Sequence, residues 1–178
     1  MIIGVAGPMG AGKTTVADLL KQEGFEKTSL SDALRDELKR RGAEITRNAL
    51  RSVGDELRLK FGRDVLARRA LEKVDRFGGD WVIESVRLPE EAEAIRERGI
   101  MIGIVASNKT RYERIAIRKR DKEEEAMSFD AFVKQDERDR KVGIDEALEI
   151  CDYLLENDGS IEDLKKRLEA LLKKIRAE

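Results

Sequence analysis

Residues Met1 to Ala6 (MIIGVA) are almost entirely apolar, and they run straight into Gly7-Pro8-Met9-Gly10-Ala11-Gly12-Lys13-Thr14. A run this apolar reads as a strand buried on both faces, as in parallel sheets covered by helices. The next eight residues fit G-x-x-x-x-G-K-[ST]. Helical periodicity then starts at about Lys13 and runs to Glu23, with Val16, Leu19 and Leu20 on one face. Strand, glycine loop and helix in this order build a phosphate cradle. The glycines let the backbone curl so that several N–H groups point inward, and the helix N-terminus adds the positive end of its dipole. The backbone of Gly7, Gly10, Ala11, Gly12, Lys13, Thr14 and Thr15 is expected to hold the phosphates. The Lys13 ammonium should bridge the β- and γ-phosphates and the Thr14 hydroxyl should ligate Mg²⁺.

Downstream, strand and helix patterns alternate. Strands are expected at Phe25 to Leu30, Trp81 to Glu84, Ile100 to Ala106 and Asp152 to Leu155. A helix is expected over Asp32 to Arg41, capped by Ser31 or Asp32. Thr46 opens a longer helical tract, broken at Gly62 and ending before Gly78-Gly79. Pro89 suits the first turn of a helix that stops at Gly99. Lys109 to Lys122 reads as a basic helix, Asp121 to Ala126 as a charged loop, and Ser128 as the cap of a helix carrying Phe129, Phe132 and Val133. After the turn Asn157-Asp158-Gly159, the box Ser160-x-x-Asp163 opens a last helix with Ile161, Leu164, Leu168, Leu171 and Ile175 on its apolar stripe. The pattern predicts an α/β fold: a three-layer sandwich of about five parallel strands with helices on both faces.

Composition closes off several classes of chemistry. The 178 residues include no histidine, so Ser-His-Asp and Cys-His catalysis and His-ligated metals are excluded. One cysteine, Cys151, allows neither an intrachain disulfide nor a thiolate cluster, and is expected to be a small buried apolar side chain. The net charge of −1 argues against a general nucleic-acid coat. The longest uncharged run, Met1 to Gly12, is too short to span a membrane, so a soluble cytoplasmic protein is expected, as monomer or homodimer. Charged residues make up 41% of the chain, a bias that resembles heat-adapted proteins. Residues Arg35 to Arg76 hold 13 Lys/Arg against 8 Asp/Glu, a local basic excess.

These motifs together resemble the nucleoside-monophosphate kinase and dephospho-coenzyme-A kinase group of P-loop proteins, with the closest likeness to an archaeal adenylate-kinase-like branch. The resemblance spans nearly the whole chain and implies one P-loop kinase domain with a small helical acceptor arm (about 35–76) and a short lid (about 114–140). Leu30-Ser31-Asp32-Ala33-Leu34-Arg35 resembles the adenylate-kinase segment Gly-Asp-Leu-Leu-Arg, which places Arg35 on the acceptor's phosphate. Trp81-Val82-Ile83-Glu84-Ser85-Val86-Arg87 resembles the third-strand segment ending in Asp-Gly-x-x-Arg or Asp-Gly-x-Arg. Arg87 would be a second acceptor clamp and Glu84 would hold Mg²⁺ through water, although Glu-Ser stands where the family has Asp-Gly. Arg114 and Arg118 resemble the Arg-x-x-x-Arg that opens the lid over ATP. Asp136-Glu137-Arg138-Asp139-Arg140 resembles the closing segment, so Arg138 or Arg140 would reach the transferred phosphate. Asn157-Asp158-Gly159 resembles the loop that touches adenine.

What this implies is an ATP- and Mg²⁺-dependent kinase acting on a small nucleotide-like acceptor, with nucleic acid and membrane not expected as partners. Two acceptor chemistries compete. A phosphate acceptor, as in a (deoxy)nucleoside monophosphate, is already ionised and relies on Arg35 and Arg87. A ribose hydroxyl, as in dephospho-coenzyme A, needs a base, and Asp32 is the candidate. A regulatory nucleotide-binding protein or slow ATPase is the alternative from another class.

Overall fold

The computed structural model describes residues 1–121 and 127–177, apart from the side chains at positions 47 and 119–121. Five strands, β1 (Ile2–Ala6), β2 (Glu26–Ser29), β3 (Trp81–Val86), β4 (Ile100–Val105) and β5 (Tyr153–Glu156), form one sheet in the order β2-β3-β1-β4-β5. Every neighbouring pair is parallel. β1 lies at the centre, which explains its sequence: Ile3, Val5 and Ala6 are fully buried and no polar residue would be tolerated there.

Helices cover both faces. α1 (Lys13–Gln22) and α9 (Ile161–Ile175) pack on one, joined through Val16, Leu20, Leu164, Leu168 and Leu172. On the other lie α2 (Leu30–Arg40), α3 (Arg47–Phe61), α4 (Val65–Phe77), α5 (Pro89–Arg96) and α8 (Asp145–Glu149), packed around Leu57, Leu66, Ile83, Ile95 and Met101. α6 (Asn108–Asp121) and α7 (Phe129–Asp139) stand beyond the carboxyl ends of the strands. The path from α7 to α8 kinks over Arg140–Ile144, where Gly143 has φ 140°.

The sequence expectations hold for the sheet and most helices, with local corrections. The cap of α2 is Ser29, not Ser31 or Asp32: Ser29 Oγ accepts the Ser31 N–H, while Asp32 Oδ2 accepts the Ser29 N–H at 3.0 Å. Asp32 therefore sits in the first turn as the far half of a capping box. α6 begins at Asn108, one residue early, and Asp121 ends that helix instead of opening a loop. The rest of the expected loop, residues 122–126, lies outside the described residues.

β3 runs on to Val86 because of a bulge. Gly4 pairs with Ile83 and Ala6 with Val86, so β3 carries one extra residue. Ser85 absorbs it with φ 69°, a left-handed conformation that costs an L-residue roughly 1–2 kcal/mol. A glycine would take this angle without that cost, which accounts for the Asp-Gly that this segment resembles. Ser85 Oγ and Ser29 Oγ are 3.0 Å apart and hydrogen-bonded, tying the bulge to the cap of α2.

Candidate functional site

Open parallel sheets bind ligands at the carboxyl ends of their strands, where the order of connection reverses. Here β1 lies between β3 and β4, so the glycine loop after β1 and Arg87 after β3 emerge side by side.

The loop is held from three directions. Gly7, Gly10 and Gly12 have φ 142°, 80° and 108°. At Gly12 a Cβ would sit 2.3 Å from Asn157 Nδ2, so no side chain fits. Asn157 donates from Nδ2 to Ala11 O at 2.7 Å, and its Oδ1 accepts from Arg114 Nη2 at 3.3 Å. Arg114 also donates to the carbonyls of Asn157 and Gly159. The structure thus brings Asn157 and Arg114 together, but as a brace behind the loop: both ends of the Asn157 amide are used within the protein.

The third support is Arg111, which the sequence reasoning passed over in favour of Arg114 and Arg118. Its side chain is fully buried. It donates to Met9 O in the loop at 3.0 Å, to Ala106 O, and to Asn108 Oδ1. Two further bonds, 2.5 and 2.6 Å, make a bidentate pair with Asp136 of α7. Phe132 covers the guanidinium, 5.2 Å from its ring centre. The available signal was position: Arg111 lies one turn into α6, close enough to β4 to reach back to the loop.

Lys13 folds onto its own loop, donating to Gly7 O at 2.7 Å and Pro8 O at 2.9 Å. Burial pushes its ammonium down to about 8, and the nearby Arg87 and Arg111 push the same way, while Glu84 and Asp139 oppose them. A buried ammonium flanked by two arginines suits an anion such as a phosphate. Arg87 is exposed and its guanidinium makes no hydrogen bond with a described residue. Its backbone N–H and that of Leu88 donate to Glu91 Oε2, and Glu91 is fully buried and paired with Arg58 at 2.9 Å. The backbone that carries Arg87 is therefore fixed while its side chain is exposed, without a hydrogen bond among the described residues. Gly143 packs against this turn, since a Cβ there would meet Pro89 Cδ at 2.9 Å.

Thr14 and Glu84 converge as expected, with Thr14 Oγ1 donating to Glu84 Oε2 at 3.0 Å. Glu84 Oε1 meets Lys27 Nζ at 3.2 Å, and Lys27 also holds Asp18 at 2.8 Å. Burial pulls the Lys27 ammonium down, but Asp18 and Glu84 outweigh it and its pKa is raised. Among the described residues no group of three His, Cys, Asp or Glu is placed to hold a metal. One hydroxyl and one carboxylate fit Mg²⁺ only where phosphates and water complete its oxygen shell.

The acceptor-side residues are less free. Asp32 Oδ1 accepts from Arg35 Nη1 at 2.9 Å, so these two candidates pair with each other. The basic excess of the arm is largely taken up internally. Glu37 holds Arg40 at 2.6 Å and Arg41 at 2.7 Å, with Arg69 at 3.5 Å. A cavity of about 410 Å³ opens between α2 and α4 beside Asp32, lined also by Arg40, Arg69, Lys73 and Arg76. Of the expected lid arginines, Arg118 is exposed with no described partner, and Arg138 is exposed and, among the described residues, bonds to Lys134 O. Arg140 is bound to Asp136 and Asp145. Cys151 is half-buried, its thiol pushed up to about 12 by burial and by Asp152.

Residues 3–140 match a family model described as an AAA domain. A UPF0200 protein of Methanothermobacter thermautotrophicus is 33% identical over 179 residues, covering 98% of this chain and 90% of that protein. Another from Pyrobaculum aerophilum is 34% identical and covers 98% of each. Among solved structures, a shikimate kinase from Bacteroides thetaiotaomicron superposes with TM-score 0.66 at 17% identity, over 97% of this chain and 98% of that one. The dephospho-CoA kinase from Campylobacter jejuni gives TM-score 0.62 at 17% identity, over 98% and 96%. At that identity the two structures establish the fold, that of the P-loop kinases. Its match over residues 3–140 puts the chain in the AAA-domain family, and its archaeal relatives at 33% and 34% identity show that it belongs to the UPF0200 family.

Proposed function

We propose that this protein is an ATP- and Mg²⁺-dependent kinase that transfers the γ-phosphoryl group to a small nucleotide-like acceptor carrying a phosphate, such as a (deoxy)nucleoside monophosphate. The observation that carries the reading is the exposed Arg87 guanidinium, which has no hydrogen-bond partner among the described residues and is held on a fixed turn beside Lys13. Phosphoryl transfer asks for positive charge over donor and acceptor, and little else from the protein. Lys13 would leave Gly7 O and Pro8 O for the β- and γ-phosphates. The Thr14 hydroxyl and the Glu84 carboxylate would hold Mg²⁺, which when bound neutralises charge on the phosphates. Arg118 and Arg138, both exposed, would add charge as lid arginines.

The phosphate acceptor is favoured over a hydroxyl by the state of Asp32. One of its oxygens takes the Ser29 N–H and the other takes Arg35. A carboxylate so engaged orients a helix and an arginine; it is poorly placed to take a proton. Asp32→Asn should therefore leave most of kcat, whereas loss of a general base lowers it by roughly 10²–10⁴.

The test is an ADP-release screen over nucleoside monophosphates, deoxynucleotides and dephospho-coenzyme A. Acceptor-dependent ADP release with a monophosphate supports the reading. ATP consumption indifferent to every acceptor would make the protein an ATPase or regulator and overturn it.

A further inference from the structure

Lys27 lies behind the Thr14–Glu84 corner, where a P-loop site has no evident need of a cation. It stands on β2 opposite Val82, and Glu84 is the next residue of β3 on the same face. Asp18 is one turn beyond Thr14 on α1, so both face the same strand end. The Lys27 ammonium is thereby set between Asp18 Oδ1 at 2.8 Å and Glu84 Oε1 at 3.2 Å, while the other Glu84 oxygen takes the Thr14 hydroxyl. The pair is well shielded, with side-chain exposures of 23% for Lys27 and 11% for Glu84.

We propose that Lys27 is a positioning residue whose ammonium keeps a free divalent cation out of the Thr14–Glu84 corner, so that the metal enters only together with nucleotide phosphates. The inference rests on the kinase reading for its purpose and on geometry for its substance. Without Lys27, two carboxylates and a hydroxyl would share one corner, a hard-oxygen set attractive to Mg²⁺ or Mn²⁺. With it, Glu84 has an opposite charge in contact and its carboxylate is held to one orientation. A divalent ion entering alone would face the ammonium at a few ångströms, a repulsion worth at least ~10-fold in affinity. A triphosphate brings enough negative charge of its own to outweigh that repulsion.

The experiment is a titration with Mn²⁺ alone, followed by electron paramagnetic resonance, on wild type, Lys27→Met, Lys27→Gln and Lys27→Arg, with circular dichroism to verify folding. Two neutral variants guard against one failing to fold. The expected result is that both bind free Mn²⁺ at least ~10-fold more tightly than wild type, that Lys27→Arg behaves as wild type, and that adding Glu84→Gln to Lys27→Met abolishes the gain. Equal Mn²⁺ affinity in wild type and Lys27→Met, or a gain that survives Glu84→Gln, would overturn the proposal. Binding of metal-free ATP and of MgATP to wild type is measured separately by calorimetry. If neither metal-free ATP nor MgATP bound, the kinase reading would be defeated, while the Mn²⁺ comparison would still decide on Lys27.

Discussion

Replacing Lys13 by Met should make the nucleotide-free protein more stable while removing its affinity for ATP. Lys13 keeps its proton in the folded protein only up to about pH 8, against 10.5 for an ordinary lysine. At ~1.36 kcal/mol per unit, holding the charged form under the loop costs on the order of 3 kcal/mol at pH 7. The two bonds to Gly7 O and Pro8 O are lost with the ammonium, and solvent at the loop mouth weakens the electrostatics. A net gain of ~1–2 kcal/mol remains, or ~2–8 °C in Tm for a chain of this size. The pH dependence fixes the cause. Between pH 8 and 10.5 the unfolded lysine still binds a proton that the folded one has released, so the wild type gains stability with rising pH across that window. The advantage of the Met variant should be full below pH 8, shrink above it, and be gone or reversed by about pH 10.5, where the loop contacts of the neutral amine favour the wild type. Differential scanning fluorimetry at pH 7, 9 and 10.5, with and without MgATP, gives the whole comparison. MgATP should raise the wild-type Tm and leave Lys13→Met unmoved. A Met variant less stable than wild type at pH 7, or a difference indifferent to pH, would refute the reasoning.

Arg87→Ala should raise the acceptor KM at least ~10-fold with little change in the KM for ATP, because a charge-assisted contact is lost on one side only; steady-state kinetics with each substrate varied checks this. Ser85→Val should cost ~2 kcal/mol or more in denaturant unfolding, since a β-branched residue is forced to φ 69°, whereas Ser85→Gly should be nearly neutral, relief of strain offsetting the lost bond to Ser29. Glu37, held down to about 2 by Arg40 and then Arg41, contributes stability that is present above about pH 4.5 and lost as pH falls through 2. The stability gap between wild type and Glu37→Gln should close across that range in acid titrations. Asp136→Asn leaves the buried Arg111 short of its counter-charge and should lower stability by about 3 kcal/mol, with a Tm drop of ~6–12 °C.

The layers of the fold were legible because each is written in a local pattern. β1 is apolar because it is central, α9 shows its stripe because one face alone meets the sheet, and the glycine loop has a spacing that few other structures need. The cap of α2 lies two or three residues before the Ser31 or Asp32 that the sequence suggests, because Ser29, Ser31 and Asp32 are all competent caps and only the end of β2 decides among them. Ser85 stands where the segment it resembles has glycine, yet the bulge that demands its angle depends on the register of β1 against β3. Arg111 and Lys27 stayed hidden for a different reason. Both lie in stretches crowded with charge, and a buried arginine or lysine has the same letter as a solvated one. Their partners, Asp136 and Glu84, are 25 and 57 residues away, and no periodicity joins them.

Those long-range pairs divide the site into a rigid part and an adjustable part. Met9 O, Arg111 and Asp136 weld the glycine loop to α7, while Asn157 and Arg114 weld it to the turn after β5. Buried ion pairs with complete hydrogen bonding resist separation because either partner alone would be left charged in a poor solvent. The loop can therefore meet phosphates with little backbone rearrangement. Among the described residues, Arg87 and Arg118 make no side-chain hydrogen bond, Lys13 bonds only to its own loop, and Arg138 bonds to Lys134 O. Ligand binding then reduces to moving a few long cationic side chains, Lys13 off its own carbonyls foremost among them. Burial first, and the neighbouring Arg87 and Arg111 after it, make the Lys13 ammonium costly to keep, so an anion that meets it gains what its own loop carbonyls supply only in part.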